Sequence, residues 1–296
     1  MPTNLLIDCH VHAHWPRRYP YLHPTGSRIG VDDHDLSAES VFSALRANGV
    51  THTLLIQPGA YAFDNRAMLD AIAASNGTAK ALAAIPFDAP DEIFADLKQR
   101  GVVGVRLSLV TLDSGLFADD RVAEFLGRCR KCDFWVEVFA KAEMWPLIVP
   151  HLLRSEVKVI VEHFGYPLMS EGLKQPGVQA ILQLGRTTGA VCKLSCAYRI
   201  SWMKEPYEDM RPYVLDFIGA FGIDRTIWGS DWPFLNPDNG PAKRPMKVSV
   251  AYRRELEVLS NWIPNLNERN KVLSENPARM FGFDERVSIG GVKPIV

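Results

Sequence analysis

Short apolar runs recur along the chain, and each gives way to a stretch with apolar positions at helical spacing. Leu5-Leu6-Ile7 leads into Asp8-Cys9-His10-Val11-His12 and reads as a strand buried on both faces. Alternation along a strand places Asp8, His10 and His12 on one face, at or just past its C-terminal end. Ser37 is suited to cap a helix through Val41, Leu45 and Arg46 that closes at Gly49. His52–Ile56 is a second strand, and Asp64 caps a helix carrying Met68, Leu69 and Ile72 up to Gly77. Ala81–Ile85 is a third strand, before a helix with Ile93, Phe94 and Leu97 that ends at Gly101. Val102–Leu107, Phe134–Phe139, Val157–Val161, Val191–Leu194 and Arg225–Trp228 continue the strands. The helices between them start near Asp119, near Pro146 with an interruption at Pro150, and at Pro176, a residue suited to a first helical turn. The tail holds helices from about Val248 and Glu268.

Eight short apolar strands alternating with helices predict an all-parallel sheet with right-handed crossovers, closed into a (β/α)8 TIM barrel with additional C-terminal helices. A doubly wound open sheet is the alternative, but no Gly-rich phosphate fingerprint follows any strand. No linker divides the chain, so residues 1–296 are expected to form a single domain. The connection from Ala13 to Asp35, with Trp15, Tyr19 and Tyr21, is long for a compact fold and is expected to form a lid or pocket wall.

Composition narrows the function more than the fold. The 296 residues are 47% hydrophobic, enough for a large core, and barrels of this length run as one unit. A net charge of -1 argues against nucleic acid or an anionic membrane as the main partner. No run is long and apolar enough to span a bilayer, and Met1-Pro2-Thr3-Asn4 leads straight to a strand. No signal peptide and a cytoplasmic location are therefore expected. Five cysteines cannot all pair. Cys129 shares a helical apolar face with Val122, Phe125 and Leu126, and Cys192 sits in a strand with Cys196 just beyond it. Buried free thiols fit this placement better than a four-thiolate zinc site.

In a barrel the chemistry collects at the C-terminal ends of the strands. Those ends offer His10 and His12, Arg106, Glu162-His163-Phe164-Gly165, then Lys193 with Tyr198 and Arg199, and last Trp228-Gly229-Ser230-Asp231-Trp232-Pro233. Two converging imidazoles can bind a metal or polarise a substrate oxygen, and they can equally be ordinary strand-end histidines.

These motifs, with the closing Asn276-Pro277-Ala278-Arg279-Met280-Phe281-Gly282, resemble the amidohydrolase superfamily. Within it they are similar to the amidohydrolase-2 branch of 2-pyrone-4,6-dicarboxylate lactonases and related sugar and sulfomuconolactone lactonases. Asp64-Asn65, Gly104-Val105-Arg106-Leu107 and Lys193 through Arg199 add weaker matches. The resemblance implies that His10, His12, His163 and Asp231 form the catalytic centre of a hydrolase for aromatic or sugar-derived lactones. Asp231 would take a proton from water, and the imidazoles would polarise the lactone carbonyl. For Asp231 the plainer possibility is a helix cap or a salt bridge.

Most superfamily members hold divalent ions through a strand-four lysine or glutamate or a strand-five histidine. Here those strands offer Arg106, which has no lone pair to donate, and Trp135-Val136-Glu137-Val138-Phe139. A zinc site would have to lean on His10, His12 and Asp231, with His163 or Glu137 as further donors, and no metal cofactor is favoured. Arg106 and Arg199 suit a substrate carboxylate, or an internal ion pair with Glu137 or Glu162. Tyr61 and Tyr198 could supply hydroxyls, and the match at Asn65 adds it to the expected substrate contacts. The branch carries a further arginine shortly after strand four, where this chain reads Val110-Thr111-Leu112-Asp113, and a strand-five tyrosine where Val138 stands. The partner expected is therefore a small lactone that carries a carboxylate but is smaller or more neutral than the pyrone dicarboxylate. Homo-oligomers are compatible with this reading. The alternative is a metal-dependent decarboxylase of the aminocarboxymuconate-semialdehyde type, which shares the H-x-H, the later His and Asp, and the C-terminal signature.

Overall fold

The apolar runs form eight strands in the computed structural model, which describes residues 5–22, 36–110, 120–234, 251–284, 286–287 and 289. They are β1 (Ile7–Val11), β2 (His52–Ile56), β3 (Ala79–Ala83), β4 (Val102–Ser108), β5 (Trp135–Phe139), β6 (Lys158–Val161), β7 (Val191–Leu194) and β8 (Thr226–Trp228). The strands pair in sequence order in one parallel sheet. The ring closes beyond the last strand, where Val11 bridges Trp232 and the Asp231 amide donates to the His10 carbonyl at 3.0 Å. The architecture is a (β/α)8 barrel.

The helices between strands are α1 (Ala38–Ala47), α2 (Arg66–Ala74), α3 (Asp91–Gln99), α4 (Asp120–Lys131), α5 (Trp145–Ser155), α6 (Pro176–Thr187), the single turn α7 (Ala197–Ile200) and α8 (Arg211–Phe221). The tail adds α9 (Tyr252–Trp262), α10 (Leu266–Asn270), a π turn at Lys271–Glu275 and α11 (Asn276–Phe281). The expected helix start near Val248 lies outside the described residues.

Two apolar layers hold the barrel. Ile7, Cys9, Leu54, Ile56, Leu82, Ile160, Val191 and Ile227 fill one cluster with Phe281 from the C-terminal signature and Phe283 just beyond it. The other strand faces meet the helices through residues such as Leu55, Phe94, Phe125, Trp145 and Phe217. Cys129 is buried in that second layer, and Cys192 lies in β7 with its sulfur 3.4 Å from the Thr226 hydroxyl.

Three local expectations shift. The third strand runs two residues earlier than Ala81–Ile85, because the Asn65 side chain takes both the N–H and the carbonyl of Ala84 and Pro86 then lacks a donor. Ser37 precedes α1 but makes no capping hydrogen bond. Alternation in β1 is also broken: the pairing register shifts between Asp8 and Val11. The Asp8 carboxylate therefore leaves the face of the histidines. It accepts from the His10 amide at 3.0 Å and the Ser230 amide at 2.9 Å, and pairs with the Tyr252 hydroxyl.

Glu255 of α9 is 5% exposed and faces the Tyr207 hydroxyl at 3.3 Å. Burial and then Glu205 push its carboxyl up to about 8. A carboxyl raised in the folded state costs stability as pH climbs from its unfolded value near 4.3 towards 8. Glu255→Gln is expected to unfold at the wild-type denaturant midpoint near pH 4, and to exceed wild type by a few kcal/mol by pH 8 in denaturant titrations.

Candidate active site

The turn after β8 delivers the carboxylate. Gly229 lies so close to β1 that a Cβ there would sit 2.4 Å from the His10 Cβ and 2.8 Å from the His10 nitrogen. Only glycine permits that approach, and the Asp8 carboxylate then bridges the two chain segments through the His10 and Ser230 amides. Gly229→Ala is expected to push His10 out of place. Turnover should fall at least about tenfold and stability by about 1–3 kcal/mol, read from kinetics and denaturant titration on one preparation.

Asp231 is itself held with φ +64°, and His163 and Cys196, at the ends of β6 and β7, have φ +50° and +63°. Left-handed backbone at non-glycine residues costs on the order of 1 kcal/mol or more and gathers at functional sites. Here it turns three side chains into one mouth. Asp231 Oδ1 lies 3.4 Å from His10 Nε2, 3.4 Å from His12 Nε2 and 3.8 Å from His163 Nε2. The two H-x-H nitrogens are 3.2 Å apart. Tyr198 donates to Asp231 Oδ2 at 2.8 Å, and Arg199 Nη1 stands 3.7 Å from the same oxygen. The four residues expected to form the centre thus meet, all of them buried.

Outer partners assign the ring protons. His12 Nδ1 faces the Ile56 carbonyl at 2.8 Å and must donate, so in the neutral ring Nε2 presents a lone pair to the mouth. His10 Nδ1 faces the Lys193 ammonium at 3.2 Å and must accept, so its Nε2 carries the proton and donates towards His12 and Asp231. His163 Nε2 is 3.0 Å from Glu162 Oε1 and donates to it, while Nδ1 accepts from the Ser195 hydroxyl at 2.7 Å.

Charge is arranged in layers. Burial would raise the Asp231 carboxyl, but His163, His12, His10 and Arg199 around it hold it well below the usual range. Burial acts on Glu162 in the same way and is outweighed by Arg106, His163 and His10, so it too is held low. Burial, with Lys193 beside it, keeps His10 well below its ordinary value, and burial outweighs Glu162 and Asp231 at His163. Glu137 is pushed up to about 8 by burial and by Glu162, against the opposing pull of Lys193.

His10, His12 and Asp231 are one group near enough to hold a metal ion. Their edges of 3.2, 3.4 and 3.4 Å match ligands about 2.0 Å from a tetrahedral zinc. The proton inventory does not match. A ligand nitrogen must be bare, with its other ring nitrogen donating to a carbonyl or carboxylate. His12 meets that condition, whereas the lysine behind His10 imposes the opposite tautomer.

The residues expected to contact substrate divide. Arg106 pairs both Nε and Nη2 with the Glu162 carboxylate and Nη1 with the Gln57 carbonyl at 3.0 Å, so the ion pair is with Glu162 and not Glu137. Its flank still lines a cavity of about 320 Å³ with Phe63, Ile85, Phe87 and Leu107. Arg199 lies at the mouth against Asp231 and over the Tyr166 ring, its Nε without a hydrogen-bond partner among the described residues. Tyr198 holds Asp231. Tyr61 accepts from the Trp15 amide at 2.7 Å and packs with Tyr19 and Tyr21, fastening the connection after β1. Residues 23–35 of that connection lie outside the described residues. Asn65 donates to Phe63 and Ala84 carbonyls and accepts from the Ala84 amide, so both its donors are committed to backbone.

Sequence reasoning leaves Lys193, Ser195 and Cys196 without roles and offers Glu137 as a metal donor or an arginine partner, not as the partner of Lys193. The signal for Lys193 and Glu137 is a charged residue inside an apolar strand: both are fully buried and form an ion pair. Cys196 completes a group with His163 and Asp231, and burial first and Asp231 second keep its thiol protonated.

A parallel barrel whose mouth gathers three imidazoles, a carboxylate and two arginines has the fold of an amidohydrolase-type enzyme. The chain belongs to the amidohydrolase family, whose model matches residues 7–283. It is 25% identical over 283 residues to a 4-sulfomuconolactone hydrolase of Rhizobium radiobacter, across 93% of this chain and 89% of that protein. It is 25% identical over 295 residues to a 2-pyrone-4,6-dicarboxylate hydrolase of Comamonas testosteroni, across 94% and 90%. The fold is also that of a probable 2-pyrone-4,6-dicarboxylic acid hydrolase from Acinetobacter baumannii with citric acid bound, at TM-score 0.82 and 24% identity over 94% of this chain and 99% of that one. More distant folds include a zinc-bound amidohydrolase from Burkholderia multivorans, at TM-score 0.72 and 18% identity over 95% of this chain and 100% of that one. A 2,6-dihydroxybenzoate decarboxylase from Rhizobium stands further off, at TM-score 0.57 and 15% identity over 95% and 99%.

Proposed function

We propose that the chain is a hydrolase that opens the ring of a small lactone, by attack of a water molecule whose proton Asp231 accepts. The observation that carries this reading is the convergence of three imidazole Nε2 atoms within 3.8 Å of one carboxylate oxygen. Asp231, ionised across the working range, and the bare Nε2 of His12 are the acceptors that can orient and deprotonate water. The Nε2–H of His10 is the donor for the carbonyl oxygen as it gains charge, while that of His163 is held by Glu162 at the edge of the mouth. The water oxygen bonds to the carbonyl carbon, the ring C–O bond breaks, and the proton held by Asp231 passes to the departing ring oxygen. The product is a hydroxy acid.

This reading needs no metal, because the proton on His10 Nε2 occupies the direction a ligand lone pair would need. The relatives named as lactone hydrolases support the reaction class. The decarboxylase reading is weaker: β5 supplies Glu137 and no imidazole, and Glu137 is paired with Lys193. No helix among the described residues is long and apolar enough to cross a membrane, and we place the enzyme in the cytoplasm acting on a small molecule.

Arg199 is the best-placed group for a substrate carboxylate, since its Nε has no partner among the described residues. Arg199→Met is expected to raise KM about tenfold or more for acidic lactones and to leave neutral ones nearly unchanged. Equal loss for both kinds would make Arg199 a structural partner of Asp231. A panel of aromatic-derived and sugar-derived lactones, followed by acid release, tests the function itself. Ring opening of at least one class is the expected outcome, and inertness towards all of them would remove the proposal.

A further inference from the structure

Lys193 is fully buried in β7, ion-paired with Glu137 of β5, and its Nζ also reaches His10 Nδ1 at 3.2 Å. A buried lysine is costly unless paired, and this one stands directly behind the first histidine of the H-x-H motif. An ammonium has three donors and no acceptor, so the imidazole nitrogen facing it must be the bare one. A carboxylate in that place would have the reverse effect, drawing the proton to Nδ1 and baring Nε2 towards the mouth. An acceptor oxygen is present in reserve. Glu137 Oε1 lies 3.8 Å from His10 Nδ1 and has no hydrogen-bond partner among the described residues.

We propose that Lys193 is the positioning residue that fixes the proton of His10 on Nε2, and that this contact keeps the H-x-H pair a hydrogen-bonding unit instead of a pair of metal ligands. The inference rests on the metal-free reading above and extends it to a single side chain. With the ammonium gone, the unpartnered Oε1 of Glu137, which accepts whether or not the carboxyl keeps a proton on Oε2, becomes the acceptor for His10 Nδ1–H. His10 Nε2, His12 Nε2 and Asp231 Oδ1 then present three bare donors on edges already spaced for a tetrahedral ion. The lysine thus acts on His10 alone, because His12 is oriented separately by the Ile56 carbonyl.

The test compares zinc binding by chelator-stripped wild type and Lys193→Met, titrated with zinc ion and read by calorimetry, beside nitrogen NMR of the histidine rings at neutral pH. The variant is expected to bind one zinc ion at least about tenfold more tightly than wild type, the usual scale of a partner behind a metal-bound histidine. The His10 signals should exchange character: Nε2 carries the proton in wild type, and Nδ1 carries it in the variant. Equal zinc affinity in the two proteins, or a wild-type His10 already protonated on Nδ1, would overturn the proposal. Should Lys193→Met not fold with Glu137 left buried and unpaired, Lys193→Met combined with Glu137→Gln keeps an amide oxygen as acceptor without the charge. The same shift in zinc affinity is expected of it, and no shift counts against Lys193. Neither readout uses turnover, so a wild type that opens no lactone would end the proposed function while the zinc comparison still decides the role of Lys193.

Discussion

Replacing Asp231 with Asn should lower kcat by at least about a thousandfold, the scale set by loss of a positioned general base, and leave the protein folded. Asn fills the same volume, and its amide oxygen can still accept from the Tyr198 hydroxyl, so circular dichroism and the denaturant midpoint should change little. The side chain loses its negative charge and with it the capacity to take a proton. Because Asp231 is held well below the usual carboxylate range, the wild-type rate should have no acid limb from this residue between pH 5 and 7. A variant that keeps more than about a tenth of the wild-type kcat would show that some other group accepts the proton.

Arg106→Met should have the largest effect on stability. It leaves the fully buried Glu162 carboxylate without the guanidinium that pairs with it through two nitrogens. Breaking such a pair by removing one partner costs about 3–5 kcal/mol, read as a lower denaturant midpoint. The pH dependence has a definite sign. Glu162 is held below its ordinary value in the folded protein, so its contribution is fully present above its unfolded value near 4.3 and is lost as pH falls through the folded one. The gap between wild type and Arg106→Met should therefore be widest near neutral pH and close in acid. Arg106→Met combined with Glu162→Gln should recover much of the stability without restoring turnover, since Glu162 also orients His163.

The strands, their order and the mouth were legible in the chain because parallel barrel strands are apolar on both faces and their chemistry follows at one end. His10, His12, His163 and Asp231 announced themselves by ending such runs. The supporting layer was not legible in the same way. Lys193 and Glu137 lie on strands that do not neighbour each other in sequence or in the sheet, so only closure of the barrel brings them to His10. The departure of Asp8 from the face of the histidines follows from a register shift, which strict alternation cannot anticipate. Asn65 is expected at the substrate from a motif match and Tyr61 from its hydroxyl. Their partners proved to be backbone groups of loops that only the folded chain brings into reach. Cys196 is the buried thiol the sequence predicts, but its left-handed backbone turns it towards His163 and Asp231.

The most direct test of a metal-free, aspartate-directed ring opening is the rate of lactone hydrolysis by enzyme stripped with chelator, with residual metal quantified in the same sample. The account predicts the full rate at metal contents far below one ion per chain. A rate that disappears on stripping and returns in proportion to added zinc would contradict it.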